Sequence, residues 1–158
     1  MSEAKRNIAV VIITLIGITL LVSVIFLAPY LKSRGIRANV FLYGFTGSIC
    51  HQVPDRCIHM WNHPLAVCSR CMGIYAGFLA GTLVYPFFHG FTHTRLPHIE
   101  TMILMTIPIG IDALGNFFHF WDSAGWLRFT VGFFWGILLP YYFIPGIVDA
   151  VRLLHSRR

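Results

Sequence analysis

The run from Ile8 to Ala28 holds 21 residues without a charged side chain, is rich in Ile, Val and Leu, and follows directly on Lys5 and Arg6. A bilayer core about 30 Å thick needs roughly 20 apolar residues per helix, so this run is long enough to cross. A cleaved signal peptide shares the basic start, but its apolar core is only about 7–15 residues, and the run therefore predicts a permanent anchor. Further apolar stretches follow, and spans are predicted at about 8–30, 71–88, 99–120 and 127–148. The expected fold is an all-α integral membrane protein, a single membrane domain over 1–158 with four transmembrane helices and an ordered cysteine-rich first loop at 49–71. Composition agrees: the chain is 56% hydrophobic and 11% charged, where soluble domains carry about 25% charged residues.

Inside the first loop, Val40 to Ile49 is apolar enough to lie on the membrane surface as a short helix or re-entrant piece. Pro54 and Pro64 break any longer helix there. The second span carries Gly73, Gly77 and Gly81 at four-residue spacing, with Ala76 and Ala80 beside them. Such a stripe lets another helix approach backbone to backbone, either within the chain or from a second copy in a homo-oligomer. Pro108 predicts a kink in the third span, which Glu100 opens. The fourth span has Gly132 and Gly136 on one face, and Pro140 and Pro145 distort its second half.

The formal charge of +6 comes from Lys5 and Arg6, from Lys32, Arg34 and Arg37, and from Arg152, Arg157 and Arg158 at the tail. These flank apolar runs, where anionic headgroups lie, so the expected partners are membrane lipids. A nucleic-acid binder would instead cluster its basic residues on one face, and none is expected here. Four spans put both termini and the His89 to His98 connection on one side, the cysteine loop and the Trp121 to Trp126 turn on the other. The positive-inside rule gives no orientation. Lys5, Arg6, Arg95, Arg152, Arg157 and Arg158 stand against Lys32, Arg34, Arg37, Arg56, Arg70 and Arg128. Orientation decides the chemistry, because disulfides persist outside the cytoplasm and thiols stay reduced within it.

Cys50, Cys57, Cys68 and Cys71 all fall in the first loop. Cys68 and Cys71 form a C-x2-C pair, and two thiolates on a tight turn with two more returning from a nearby segment suit a tetrahedral zinc site. The predicted metal ligands are Cys50, Cys57, Cys68 and Cys71, with His51 as the alternative to Cys57 and with His59 and His63 also close by in sequence. Four thiolates would make a closed, structural site, while an open position would allow metal-assisted hydrolysis or transfer on a lipid-like substrate. A redox reading competes. Cys71 sits at a predicted helix start beside Arg70, which favours a thiolate. Four helices with a C-x2-C and a loop cysteine pair also resemble the quinone-coupled disulfide-forming proteins and the vitamin K epoxide reductases. Two structural disulfides are the remaining account.

Asp112, Asn116 and His119 fall on one helical face of the third span. A carboxylate in hydrocarbon is costly, about 2.5–3.5 kcal/mol on insertion scales, so Asp112 is expected to face the bundle interior. Arg128 is its nearest candidate countercharge in sequence, reaching inward or bridged by water or His119. Asp112, His119 and Arg128 are the candidate catalytic groups, and His119, Asp122 and Arg128 are expected near the cysteine loop. Gln52, Arg56, Arg70 and Asn116 are the candidate ligand-binding residues, in a polar pocket fit for an anionic or lipid-headgroup ligand. The same stripe read as interhelical glue needs no ligand, and read as a solute or ion path it needs a water-filled route. His89, His93 and His98 read as interfacial histidines, since Gly90 and Pro97 oppose a helix between them.

The string Cys50-His51-Gln52, then Arg56, then Cys68-Ser69-Arg70-Cys71-Met72-Gly73-Ile74-Tyr75-Ala76-Gly77 resembles a family of small prokaryotic membrane proteins catalogued as domain of unknown function 2085. Asp112 and the Arg128-Phe129-Thr130-Val131-Gly132 opening of the last span extend the resemblance over roughly Ile49 to Gly136. It implies a prokaryotic cell-membrane protein and locates the site, with no reaction type attached. In that pattern serine commonly stands where this chain has Cys57, which implies His51 as fourth ligand elsewhere in the family.

Overall fold

A computed structural model describes residues 3–89, 98–118 and 120–156. In chain order these form α1 (Glu3–Ser33), α2 (Asn39–Gly47), a 3-10 turn (Pro54–Arg56), β1 (Cys57–Met60), β2 (His63–Cys68), α3 (Ser69–His89), α4 (Ile99–Phe117) and α5 (Gly125–Ser156). Two helices are long and apolar enough to cross a membrane, over Lys5–Ser33 and Gly125–Leu153. His93 and His119 lie outside the described residues.

Pro140 and Pro145, expected to distort the second half of the last span, lie within a continuous α5. Pro29 in α1 and Pro140 and Pro145 in α5 are fully buried, so the packing around them holds both helices continuous past the backbone bonds each proline forfeits. The end of α1 comes instead at Gly35. With φ at +70°, it lets its own N–H reach Lys32 O at 3.0 Å and the Ile36 N–H reach Leu31 O at 3.0 Å. Those two bonds cap the helix carbonyls in the left-handed turn that glycine alone adopts without strain.

The small-residue stripe joins α3 to α5 within the chain. A Cβ on Gly77 would meet the carbonyl of Phe133 and lie 3.0 Å from the Ile137 nitrogen. Gly73 faces Phe129 in the same way, and Gly81 faces Ile137. The arrangement is reciprocal, because Gly132 and Gly136 of α5 bring their Cα atoms against the carbonyls of Arg70 and Ile74. Within the chain, α5 lies against this face of α3.

Val10 and Val11 of α1 pack with Tyr85 of α3 and with Ile144 and Val148 of α5 near one end. At the other end Ile25 of α1 packs with Cys50, Leu65, Val67 and Met72 beneath the cysteine segment. Meanwhile α4 leans chiefly on α5 and leaves Ile103, Leu104, Ile107 and Ile111 at least half exposed.

The all-α expectation needs one correction. Residues 57–68 form an antiparallel hairpin in which Cys57 pairs with Cys68, His59 with Pro64 and Met60 with His63. Trp61 and Asn62 make its two-residue turn with φ of 51° and 62°, the twist that a tight hairpin needs. Trp61 is held there edge-on against Tyr30, with ring centroids 5.5 Å apart.

Candidate metal centre

Three elements bring three thiols together. Cys68 ends β2, Cys71 lies in the first turn of α3, and Cys50 follows α2. The Sγ atoms of Cys50, Cys68 and Cys71 all lie within 4.8 Å of one another. All four cysteines carry free thiols. A tetrahedral zinc with sulfur bonds of about 2.3 Å sets its ligands about 3.8 Å apart, so the triad needs little closure to hold such an ion.

Local bonding fixes Cys50. Its N–H reaches the carbonyl of buried Thr46 at 3.0 Å, and its sulfur accepts the Cys68 N–H at 3.2 Å. Gln52, in the left-handed region at φ 50°, turns the chain away just after it. The Gln52 amide nitrogen donates to Tyr43 O, Thr46 Oγ1 and Ala66 O at 2.7–2.8 Å, which ties the segment to both α2 and β2. The Tyr43 hydroxyl adds a 2.5 Å bond to Pro64 O. Sequence assigned Gln52 to ligand binding; here its amide nitrogen is engaged in holding Cys50 in place. Ser69 Oγ likewise donates to Arg56 O at 3.0 Å and anchors the 3-10 turn to the start of α3.

Cys57 stands apart from the triad. It is buried, its thiol donates to Val53 O at 3.2 Å, and burial followed by the neighbouring Cys68 and Cys50 sulfurs pushes that thiol up to about 12. Hydrogen bonds from Cys68 and Cys71 act oppositely on Cys50, pulling its thiol far below the ordinary range against the desolvation that raises it. One thiolate in the triad is thus favoured before any metal arrives. His51 is exposed at the mouth, while His59 and His63 sit on the hairpin and join no cysteine cluster among the described residues.

A polar network lies directly behind the triad. Arg70 Nε donates to Asp112 Oδ2 at 3.1 Å, and the same guanidinium makes a second contact through Nη2. Asn116 Nδ2 bonds Asp112 Oδ1 at 3.1 Å and Ser123 Oγ at 2.9 Å, and Ser123 donates to the Asp112 carboxylate. Arg128 Nη2 bonds Asn116 Oδ1 at 2.6 Å and pairs with Asp122. The sequence expectation that Arg128 neutralises Asp112 is corrected: Arg70 takes that place, because the α3–α5 contact sets the start of α3 beside α4. Ser123 was missed altogether, its only signal being a place next to Asp122 in the α4–α5 turn.

Triad and network share a cavity of about 410 Å³, in whose wall Cys50, Cys68 and Cys71 stand with Arg56, Arg70 and Arg128. His51, Gln52 and Asn116 also line it. Of the predicted site residues among the described positions, Cys57 and Asp112 do not line this cavity, and Asp112 is joined to it through Arg70 and Asn116.

Residues 50–142 match the family described as predicted membrane protein, domain of unknown function 2085. An uncharacterized protein of Methanocaldococcus jannaschii is 34% identical over 146 residues, covering 89% of this chain and 94% of that protein. An uncharacterized protein of Methanothermobacter thermautotrophicus is 35% identical over 84 residues, covering 53% of this chain and 74% of its own. No solved structure matches. The matched segment begins at the first cysteine of the triad and ends within α5, so it contains the whole centre, and the chain belongs to the domain of unknown function 2085 family of predicted membrane proteins.

Proposed function

We propose that this is a four-span protein of the prokaryotic cell membrane that holds one zinc ion through Cys50, Cys68 and Cys71 at a membrane interface, beside the arginine-lined cavity that these cysteines share. The observation that carries the reading is the convergence of three free sulfurs within 4.8 Å on one wall of that cavity. Zinc held by three cysteines would supply a Lewis acid there.

The membrane placement is supported by the two span-length helices, by α3 lying along α5, and by the exposed apolar face of α4. Val40, Phe41 and Phe45 of α2 are 59–80% exposed, as befits a short helix lying in the headgroup region beside the cysteine hairpin. Archaeal relatives favour a prokaryotic membrane.

The chain's own residues do three things around the ion. Gln52 and Thr46 hold Cys50 in register, the Arg70–Asp112 pair locks the first turn of α3 that carries Cys71, and Leu65, Val67 and Met72 keep water from the sulfur side.

A second reading, thiol–disulfide exchange through Cys68 and Cys71, draws on the lowered Cys50 thiol beside them. Elemental mass spectrometry on detergent-purified protein, with a thiol count after denaturation, separates the two. One zinc and four thiols per chain support the metal reading. No metal with two or fewer thiols overturns it in favour of exchange.

A further inference from the structure

We infer that the cavity beside the three cysteines is a binding site for a phosphate-class oxyanion, carried either free or on a lipid headgroup. The inference rests on the cavity wall and goes beyond the zinc reading. Arg56, Arg70 and Arg128 line the space, and among the described residues lining it there is no carboxylate, while Asp112 pairs with Arg70 and Asp122 with Arg128. Two helix N-termini open at the same place, since Arg70 is the second residue of α3 and Arg128 the fourth of α5. Their helix dipoles add positive potential.

Arg128 holds donor capacity in reserve. It is 5% exposed and lines the cavity, and its bonds to Asn116 and Asp122 both run through Nη2. A cationic N–H without an acceptor is destabilising by about 1–3 kcal/mol or more, which favours an anion beside the guanidinium. Guanidinium forks match phosphate oxygens two at a time. Arg56 can offer its fork, while Arg70 and Arg128, tied through Nε and Nη2 to Asp112 and through Nη2 to Asn116 and Asp122, add charge and their remaining donors. A volume of about 410 Å³ accepts the phosphate and part of what carries it.

The lipid source has its own support. A neighbouring cavity shares Arg56 and Asn116 with this one. Through Trp121 and Asp122 it adjoins a larger apolar groove between α4 and α5, lined by Ile107, Ile111, Leu127 and Val131.

The test uses the full chain in detergent, in chelator-treated and zinc-loaded portions, titrated calorimetrically with inorganic phosphate. In parallel the chain is placed in phosphatidylcholine vesicles with and without phosphatidic acid, and its melting is followed as the acid is titrated in. Saturable binding of inorganic phosphate identifies a free ligand. A melting rise with phosphatidic acid, without phosphate binding in detergent, identifies a headgroup. In whichever arm responds, Arg56→Gln and Arg128→Lys should each weaken binding by about tenfold or more. Arg56 is only half buried, so its variant remains informative where Arg128→Lys fails to fold. Silence in both arms, or binding that Arg56→Gln leaves unchanged, overturns the inference. Zinc content measured on the same samples distinguishes that failure from failure of the metal reading.

Discussion

Arg70 and Asp112 lie 42 positions apart in the chain, yet the Arg70 Nε–H points at Asp112 Oδ2 from 3.1 Å. This pair fastens the residue beside Cys71 to the last third of α4, a helix otherwise supported mainly by α5. Removing one partner of a buried pair typically costs about 3–5 kcal/mol. With Arg70 21% exposed, Asp112→Ala should fall near the bottom of that range. Melting in detergent should drop accordingly, and Arg70→Met combined with Asp112→Leu should recover much of the loss. A melting curve unmoved by Asp112→Ala would show that α4 does not depend on the pair.

Zinc stoichiometry should sort the four cysteines into two classes. Cys50→Ser, Cys68→Ser and Cys71→Ser each remove a converging sulfur and should abolish stoichiometric zinc. Cys57→Ser should retain it, because the serine hydroxyl can keep the bond to Val53 O that the thiol now makes. Equal loss in all four variants would restore the four-thiolate site expected from sequence.

The buried Cys57 thiol also makes a pH prediction. Its folded value is pushed up to about 12 by burial and by the sulfurs of Cys68 and Cys50, whereas an unfolded cysteine ionises near about 8.5. The raised group contributes stability that is fully present below the unfolded value and is lost as pH climbs through the folded one. Melting of wild type relative to Cys57→Ser should therefore be constant below about pH 8 and fall progressively across the alkaline range toward pH 12. At pH 8 an alkylating reagent should leave Cys57 unmodified in the folded chain. A difference curve flat through the alkaline range would contradict the assignment.

The apolar runs and the cysteine cluster were legible because both depend on local sequence. Ile8 to Ala28 falls inside α1, and Asp112 and Asn116 share a helical face as their spacing requires. The hairpin was not legible. Its strands are short, Pro64 lies within one, and its Trp61-Asn62 turn lacks the glycine that signals a two-residue hairpin. That omission also misplaced Cys57, since pairing with Cys68 across the strands puts it near the triad in space while its thiol turns to Val53. The partner of Asp112 depends on how α3 and α5 pack, and nearness in sequence pointed to Arg128 instead of Arg70.

Packing between α3 and α5 can be tested with a single methyl group. In Gly77→Ala the new Cβ would press on the Phe133 carbonyl and sit 3.0 Å from the Ile137 nitrogen. These are backbone atoms of a helix and cannot swing aside as a side chain would. Alanine gains about 1 kcal/mol over glycine in helix propensity, against an overpacking cost of about 1–3 kcal/mol. With backbone on both sides the cost should lie at its upper end and win, for a net loss of about 1–2 kcal/mol. Gly110→Ala in α4 is the control, because no atom lies within 4 Å of its new Cβ. It should show the propensity gain alone. Opposite shifts in melting temperature for the two variants are the expected result, whereas equal shifts would mean that the helices do not touch backbone to backbone at Gly77.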